Sequence, residues 1–307
     1  MRDHPGAARH PSVGGECPEK FPSCGGVPDR AGWSQSAAPH LTINNKTTLK
    51  KFLDKFGISP PALSEDALIN SVGNAFSHVP YENLTKIIKA DALVNPKSAM
   101  RYPDEVIGDY LRFGSGGTCF SLTAAITAVY CALGINAYPI LADRHYGADT
   151  HSAVIIFRDA KIFLIDPGYL LFIPVPVYNE KSSFIDTGTN TVELKPIKNG
   201  EAVELYTTYK NNRKMRLTYK IAPADPGHFA RVWESSFTWE MMSYPVLTRR
   251  TAGAQHYLQG NKLSVYTGGN SRRVIFDDDN IRGAAIASTF GIDPQIIKKA
   301  LEITKNG

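Results

Sequence analysis

The stretch Gly116-Gly117-Thr118-Cys119-Phe120, continued by Leu122, Ile126, Val129 and Leu133 and closed by Gly134, is the part of the chain from which the rest can be read. Its apolar residues recur at helical spacing, and the glycine after them stands where a C-terminal cap belongs. Cys119 therefore falls at the junction of a glycine-rich loop and a helix start. A thiol attacks as its thiolate, so a reactive cysteine needs surroundings that lower its pKa. Unpaired N–H groups in the first turn of a helix favour negative charge, and an imidazole can take the proton. Cys131, deep in the same helix, reads as a small buried hydrophobe.

An imidazole and a carboxylate follow on the next segments. Residues 137–142, 152–158 and 161–166 are rich in Val, Ile, Phe and Leu and read as strands. Asp159 and Ala160 form a natural tight turn, so Arg158 pairs with Lys161, Ile155 with Leu164 and Ala153 with Asp166. His151 then lies diagonal to Asp166 on one face, roughly 7 to 8 Å away between backbones, within reach of a side-chain hydrogen bond. In this register Asp166 orients one ring nitrogen while the other faces Cys119. One bulged residue in that hairpin would send the two side chains to opposite faces. His145 and Asp143 are read as belonging to an exposed loop, residues 144–150, beside the site.

The rest of the chain narrows the class. A sequence of 307 residues with 43% hydrophobic and 21% charged residues is long enough for a substantial core. No window approaches the roughly 18 uninterrupted apolar residues of a membrane span. The start Met1-Arg2-Asp3-His4-Pro5 lacks the apolar core of a secretory signal, so a cytoplasmic protein is expected. A net charge of +5, dispersed apart from Lys210, Arg213, Lys214 and Arg216, reads as a solvated face rather than a nucleic-acid surface. Four cysteines make no disulfide framework, and Cys17 and Cys24 lack paired metal ligands nearby, so no metal is expected.

Residues 1–40, dominated by Pro, Gly, Ser, Ala and His, are expected to be a disordered tail. Residues 41–130 read as a helical domain carrying the nucleophile. Leu49, Phe52, Leu53 and Phe56 form one stripe stopped by Gly57, and Leu63, Leu68, Ile69, Val72 and Phe76 a second. A third helix is read around 110–113. Residues 131–225 read as a β-rich domain carrying His151 and Asp166, with further strands near 172–177, 204–209 and 216–221. In residues 226–307 helices are expected at 231–239 and from 279 onward, with strands near 262–266 and 273–276. The order is that of an α+β fold without βαβ alternation.

These residues resemble the arylamine N-acetyltransferase family, which places its nucleophile in a Gly-Gly-x-Cys-Phe motif followed by His and Asp on successive strands. The matching residues are Gly116, Gly117, Cys119 and Phe120, then Thr150 and His151, then Asp166 and Gly168. Val79-Pro80-Tyr81-Glu82-Asn83-Leu84 is similar to the family's Pro-aromatic-Glu-Asn-Leu segment, and residues 237–245 and 290–292 match more weakly. The chain departs from the pattern at Ser115, where the family has Arg, at Ser121, where it has Glu, and after Asp166, where Pro167-Gly168-Tyr169-Leu170 replaces Val-Gly-Phe-Gly.

The resemblance implies an N-terminal helical bundle, an antiparallel barrel-like middle and a mixed C-terminal lid around a core like that of cysteine proteases and transglutaminases. It implies a catalytic triad of Cys119, His151 and Asp166. The backbone N–H of Cys119 would serve an oxyanion hole, and Tyr81, Phe120 and Tyr169 would line the acceptor pocket. No bound cofactor is expected. Acetyl-CoA would be the acyl donor and a small aromatic amine, hydrazine or hydroxylamine the acceptor, with no nucleic acid or membrane partner and a monomer or weak dimer as the assembly. The Lys210–Arg216 group is the candidate for CoA. Alternatives from the residues alone are a transglutaminase-like or papain-like acyl transferase or hydrolase, and a relative that only binds ligand.

Overall fold

The computed structural model describes residues 38–306 apart from 94 and 252. The tail expected to be disordered lies outside these residues up to position 37, as do Cys17 and Cys24. Its last three residues do not fit that expectation: Ala38 and His40 are buried, and Pro39–Leu41 form a 3-10 turn in the main core. Leu41 and the ring of His40, stacked on Phe229, supply apolar surface that composition upstream of position 38 lacks.

The N-terminal part contains α1 (Lys46–Lys55), α2 (Glu65–Ser77), the two-residue strand β1 (Tyr81–Glu82), α3 (Leu84–Ala92), the single turn α4 (Pro96–Ala99), α5 (Pro103–Phe113) and α6 (Cys119–Ala132). Asn45 and Ser64 cap α1 and α2 by accepting from Thr48 N and Ala67 N. The helix read around 110–113 begins earlier, at Pro103, which suits a first helical position. In α6 every residue from Cys119 to Tyr130 is buried, so the expected stripe is one side of a helix enclosed all round.

An eight-stranded antiparallel sheet follows. Its strands are β2 (Ala137–Arg144), β3 (Gly147–Arg158), β4 (Lys161–Asp166), β5 (Leu171–Val177), β6 (Ser183–Asp186), β7 (Thr191–Ile197), β8 (Ala202–Tyr209) and β9 (Asn212–Lys220). They run in the order β5-β4-β3-β2-β9-β8-β7-β6, and the end strands β5 and β6 meet at a seam, giving a barrel-like shape. Its interior is a separate apolar cluster around Ile140, Ile155, Leu205 and Leu217.

The C-terminal part holds α7 (Pro226–Ser235), then β10 (Val246–Thr251), β11 (Ala254–Gln259), β12 (Lys262–Thr267), β13 (Asn270–Ile275), α8 (Asp279–Phe290) and α9 (Pro294–Asn306). The helix expected over 231–239 begins five residues sooner, with Asp225 capping His228 N, and gives way after Ser235 to a 3-10 turn. Gly291, at φ +74°, divides the expected final helix in two. β10 through β13 form a five-stranded sheet completed by β1 from the helical part. The result is the α+β fold expected: a helical bundle, an antiparallel barrel-like sheet and a mixed C-terminal unit. Among the described residues no helix is long and apolar enough to cross a membrane.

Candidate active site

The loop before α6 is set by close backbone approach. A Cβ on Gly116 would stand 1.8 Å from the carbonyl oxygen of Pro80, and one on Gly117 would stand 2.2 Å from Ser121 Oγ. Only glycine fits there. Glu82 N donates to Gly117 O and Gly117 N to Pro80 O, so β1 is stitched to the loop that delivers Cys119. Cys119 is the first residue of α6 and 5% exposed, where the helix end favours its thiolate.

The β3–β4 hairpin has the register read from the sequence, from Arg158↔Lys161 through Ile155↔Leu164 to Val154↔Ile165. Asp159 and Ala160 turn with positive φ, as a tight hairpin needs. The irregularity lies instead between β4 and β5, where Asp166 pairs with Leu171. His151 and Asp166 thus share a face, and His151 Nε2 meets Asp166 Oδ2 at 2.7 Å with both side chains fully buried. Tyr219, from β9, donates to the same Oδ2, while Oδ1 accepts from Gly168 N at 2.8 Å and Tyr169 N at 3.0 Å. His151 Cε1 and Cys119 Cβ lie 2.6 and 3.3 Å from the point a Cβ on Gly168 would occupy, so the imidazole stands beside the thiol.

The electrostatics follow from these contacts. Burial pushes the Cys119 thiol up, but the close imidazole of His151 and its charge, with the charges of Arg144 and Lys86, outweigh it and hold the thiol below its ordinary value. Burial pulls His151 down, yet the charge of Asp166 and its hydrogen bond leave the imidazole above the usual histidine value. Burial raises Asp166, and His151, Tyr219 and the Tyr169 N–H bring it below the usual carboxylate range. The arrangement therefore favours a thiolate beside an imidazolium backed by a carboxylate.

A cavity of about 1010 Å³ opens beside these residues. Tyr81 and Tyr169, both expected to line a pocket, do so, and Tyr169 stands edge-on to the His151 ring at 5.4 Å. Phe120, expected to join them, does not. It is the second residue of a helix enclosed on all sides and points into an aromatic cluster with Phe229, Trp233 and Trp239. Trp239, which packs on Phe120, lines the cavity in its place. Lys214 and Arg216 from the basic group also line it, whereas Arg213 is paired with Glu193 outside it.

Several side chains at the site escaped the sequence reading. Residues 144–150 are not a flanking loop: they close the β2–β3 hairpin, and Arg144 Nη2 reaches His151 Nδ1 at 2.8 Å. The buried Arg101 reaches the glycine loop that delivers Cys119. Its guanidinium donates to the carbonyl of Gly116, to Thr85 Oγ1 and to Asp109, and it lies 3.7 Å from the buried Glu82. Ser115 Oγ is buried with no partner among the described residues. Asn83 accepts from Val246 N and donates to the carbonyls of Met241 and Tyr244, fixing the segment that brings Trp239 to the cavity. Among the described residues no group of three His, Cys, Asp or Glu side chains is placed to hold a metal ion.

This constellation sits on a known architecture: the fold is that of the arylamine N-acetyltransferases. The enzyme from Mycobacterium abscessus superposes with a TM-score of 0.70 at 16% identity, over 84% of this chain and 94% of that one. The enzyme from Nocardia farcinica gives 0.70 at 16% over 87% and 96%, and one from Bacillus cereus, described with a Cys-His-Glu catalytic triad, gives 0.64 at 17% over 80% and 98%. At such identities the likeness is one of fold. No family model and no curated protein matches the sequence.

Proposed function

We propose that this protein is an acyltransferase that moves an acetyl group from acetyl-CoA to an aromatic amine, hydrazine or hydroxylamine through a thioester on Cys119. The observation that carries the reading is the buried alignment of Cys119, His151 and Asp166, with His151 Nε2 hydrogen-bonded to Asp166, at a helix start beside a cavity and within this fold. His151 Nδ1 takes the proton of Cys119 while Asp166 holds Nε2–H and stabilises the imidazolium. The thiolate attacks the thioester carbonyl, backbone N–H groups at the start of α6, that of Cys119 included, take the oxyanion, and CoA leaves with the proton from His151. One such donor is commonly worth about 3 to 4 kcal/mol. The acceptor nitrogen then attacks the acetyl-enzyme, giving its proton to His151 as Cys119 is released.

Tyr81, Tyr169 and Trp239 offer aromatic walls to a ring-bearing acceptor, and burial foremost holds the Tyr81 and Tyr169 phenols above the ordinary tyrosine value, so they present neutral O–H groups. Lys214 and Arg216 offer charge for the phosphates of CoA. The test is intact mass after incubation with acetyl-CoA. One acetyl adduct, absent in Cys119→Ala and discharged by an arylamine, supports the reading; no adduct on a thiol that still alkylates overturns it.

A further inference from the structure

Arg144 lines the cavity and hydrogen-bonds the imidazole. Its Nη1 donates to Tyr146 Oη at 3.0 Å and its Nη2 to His151 Nδ1 at 2.8 Å, while its Nε is buried with no partner. An arginine gives up no proton, so Nδ1 must be the acceptor and the ring carries its proton on Nε2, toward Asp166. Nδ1 has a single lone pair in the ring plane. Arg144 and the Cys119 thiol therefore compete for it. The guanidinium also lacks a counterion: among the described residues no carboxylate lies within ion-pair distance of Arg144, Lys214, Arg216 or Arg250, all of which line the cavity, where Glu240 is the sole acidic lining residue.

Resting on the acyl-transfer reading, we propose that Arg144 binds a carboxylate on the substrate and, in turning to it, releases Nδ1 of His151 to accept the thiol proton. A half-buried guanidinium without a carboxylate partner is poorly compensated, and a carboxylate matches its fork bidentately. The side chain has room to turn. It sits at the end of β2, where the pairing with β3 shifts between Ala142 and Arg144, and its other partner, Tyr146, is 58% exposed. Arg144 reaches the base itself, so the anion it receives lies a few atoms from the reacting carbon or nitrogen. That excludes the phosphates of CoA, which the pantetheine arm holds far from the thioester. The carboxylate rides on the acyl group, as in a dicarboxylic monothioester: Cys119 gives up its proton before the acceptor arrives, so an acceptor's carboxylate would come too late to free Nδ1.

The test compares two alkylating agents that differ in one charge. In both, the Cys119 thiolate displaces iodide from carbon, but iodoacetate carries a carboxylate beside that carbon and iodoacetamide does not. The iodoacetate-to-iodoacetamide rate ratio at Cys119 is expected to exceed that of free glutathione by about tenfold, to return to the glutathione value in Arg144→Gln and to survive in part in Arg144→Lys. A general loss of thiol reactivity in Arg144→Gln scales both rates and leaves their ratio alone, so a merely structural role would not move it. In the unaltered chain, benzoate is expected to slow iodoacetate more than benzamide does. A ratio equal to that of glutathione, or one unchanged in Arg144→Gln, overturns the proposal while leaving acyl transfer standing. A Cys119 inert to both reagents overturns both readings. Intact mass then checks the carboxylate's place: loading from succinyl-CoA is expected to be faster than from acetyl-CoA, and the difference to be lost in Arg144→Gln. Equal loading rates overturn the proposal.

Discussion

Tyr219 and His151 meet on a single oxygen of Asp166: the phenol donates to Oδ2 from one side and Nε2–H from the other, with all three side chains fully buried. Tyr219 comes from β9, whose neighbour β2 separates it from His151 across the sheet, Tyr219 opposing Ala142 and Ala142 opposing His151. Asp166 thus carries four hydrogen bonds, which keep it ionised although it is fully buried.

Removing the phenol tests how much of that ionisation Tyr219 secures. Tyr219→Phe is expected to destabilise the fold by about 1.5 to 3 kcal/mol, the range for a hydrogen bond to a charged group. Asp166 is depressed in the folded state, so its stabilising contribution is present above the unfolded carboxylate value and lost as pH falls through the folded one. The variant should therefore unfold at a higher pH on acidification, followed by circular dichroism. An unchanged acid midpoint would remove Tyr219 from this role.

Asp166→Asn keeps the shape but not the charge. Asp166 raises His151, so its loss lowers the imidazole pKa and unsettles the tautomer that offers Nδ1 to Cys119. Acyl transfer is expected to fall by about a hundredfold or more, as loss of positioned acid–base chemistry does. Alkylation of Cys119 at neutral pH should slow as well. Unchanged alkylation would sink the proposed coupling.

The Cys119–His151 pair has its own pH signature. Cys119 is depressed and His151 raised, so the thiolate–imidazolium pair exists in the window between the two folded values. Iodoacetamide labelling should persist to lower pH than that of free cysteine and drop only as the depressed thiol protonates. A labelling profile that follows free cysteine would contradict the pair.

Gly168 is expected to be intolerant of one methyl group. A Cβ there would stand 2.6 Å from His151 Cε1 and 3.3 Å from Cys119 Cβ. The backbone conformation at this glycine is open to alanine, so the penalty falls on the site. Gly168→Ala should cut activity by about a hundredfold through displacement of the imidazole, with an overpacking cost of about 1 to 3 kcal/mol. Full activity in that variant would show that the ring has slack to yield.

Lys86 provides a stability readout. Its ammonium donates to the carbonyl and hydroxyl of Ser236 and lies 4.4 Å from the centre of the Phe237 ring, and burial brings its pKa down to about 7. The sign follows from linkage: the folded state disfavours the charge, so stability rises as pH climbs from the folded value toward the unfolded one. Lys86→Met is thus expected to gain on the parent most below pH 7, the gap narrowing between about 7 and 10.5. Denaturant midpoints across that range decide it, and a gap independent of pH would refute it.

The parts legible in sequence were the local ones. The α6 stripe, its glycine stop and the β3–β4 register follow from spacing and a two-residue turn, and they brought Cys119, His151 and Asp166 onto one site. Phe120 was misplaced because periodicity gives the axis of a helix but not which side meets a cavity when all sides are covered. Arg144 was read into a loop because Arg144-His145-Tyr146-Gly147 is polar and short, although it is the tip of a hairpin. Arg101 and Tyr219 reach the site only through packing of distant segments, which leaves no mark in local pattern. β10 was unread for a similar reason: Thr248-Arg249-Arg250-Thr251 has few apolar residues, and the strand is held by pairing with β1 and β11.

β1 is two residues long, yet it joins the nucleophile's loop to a sheet whose other strands all come from beyond residue 245. A ribosome that has released the chain only as far as Lys220 has already delivered Cys119, His151, Asp166 and Tyr219, but neither the strand that pairs with Tyr81 nor the segment held by Asn83. The reactive thiol is thus synthesised well before its enclosure, and the finished centre becomes a late event of chain growth, with maturation timed by the last third of the protein.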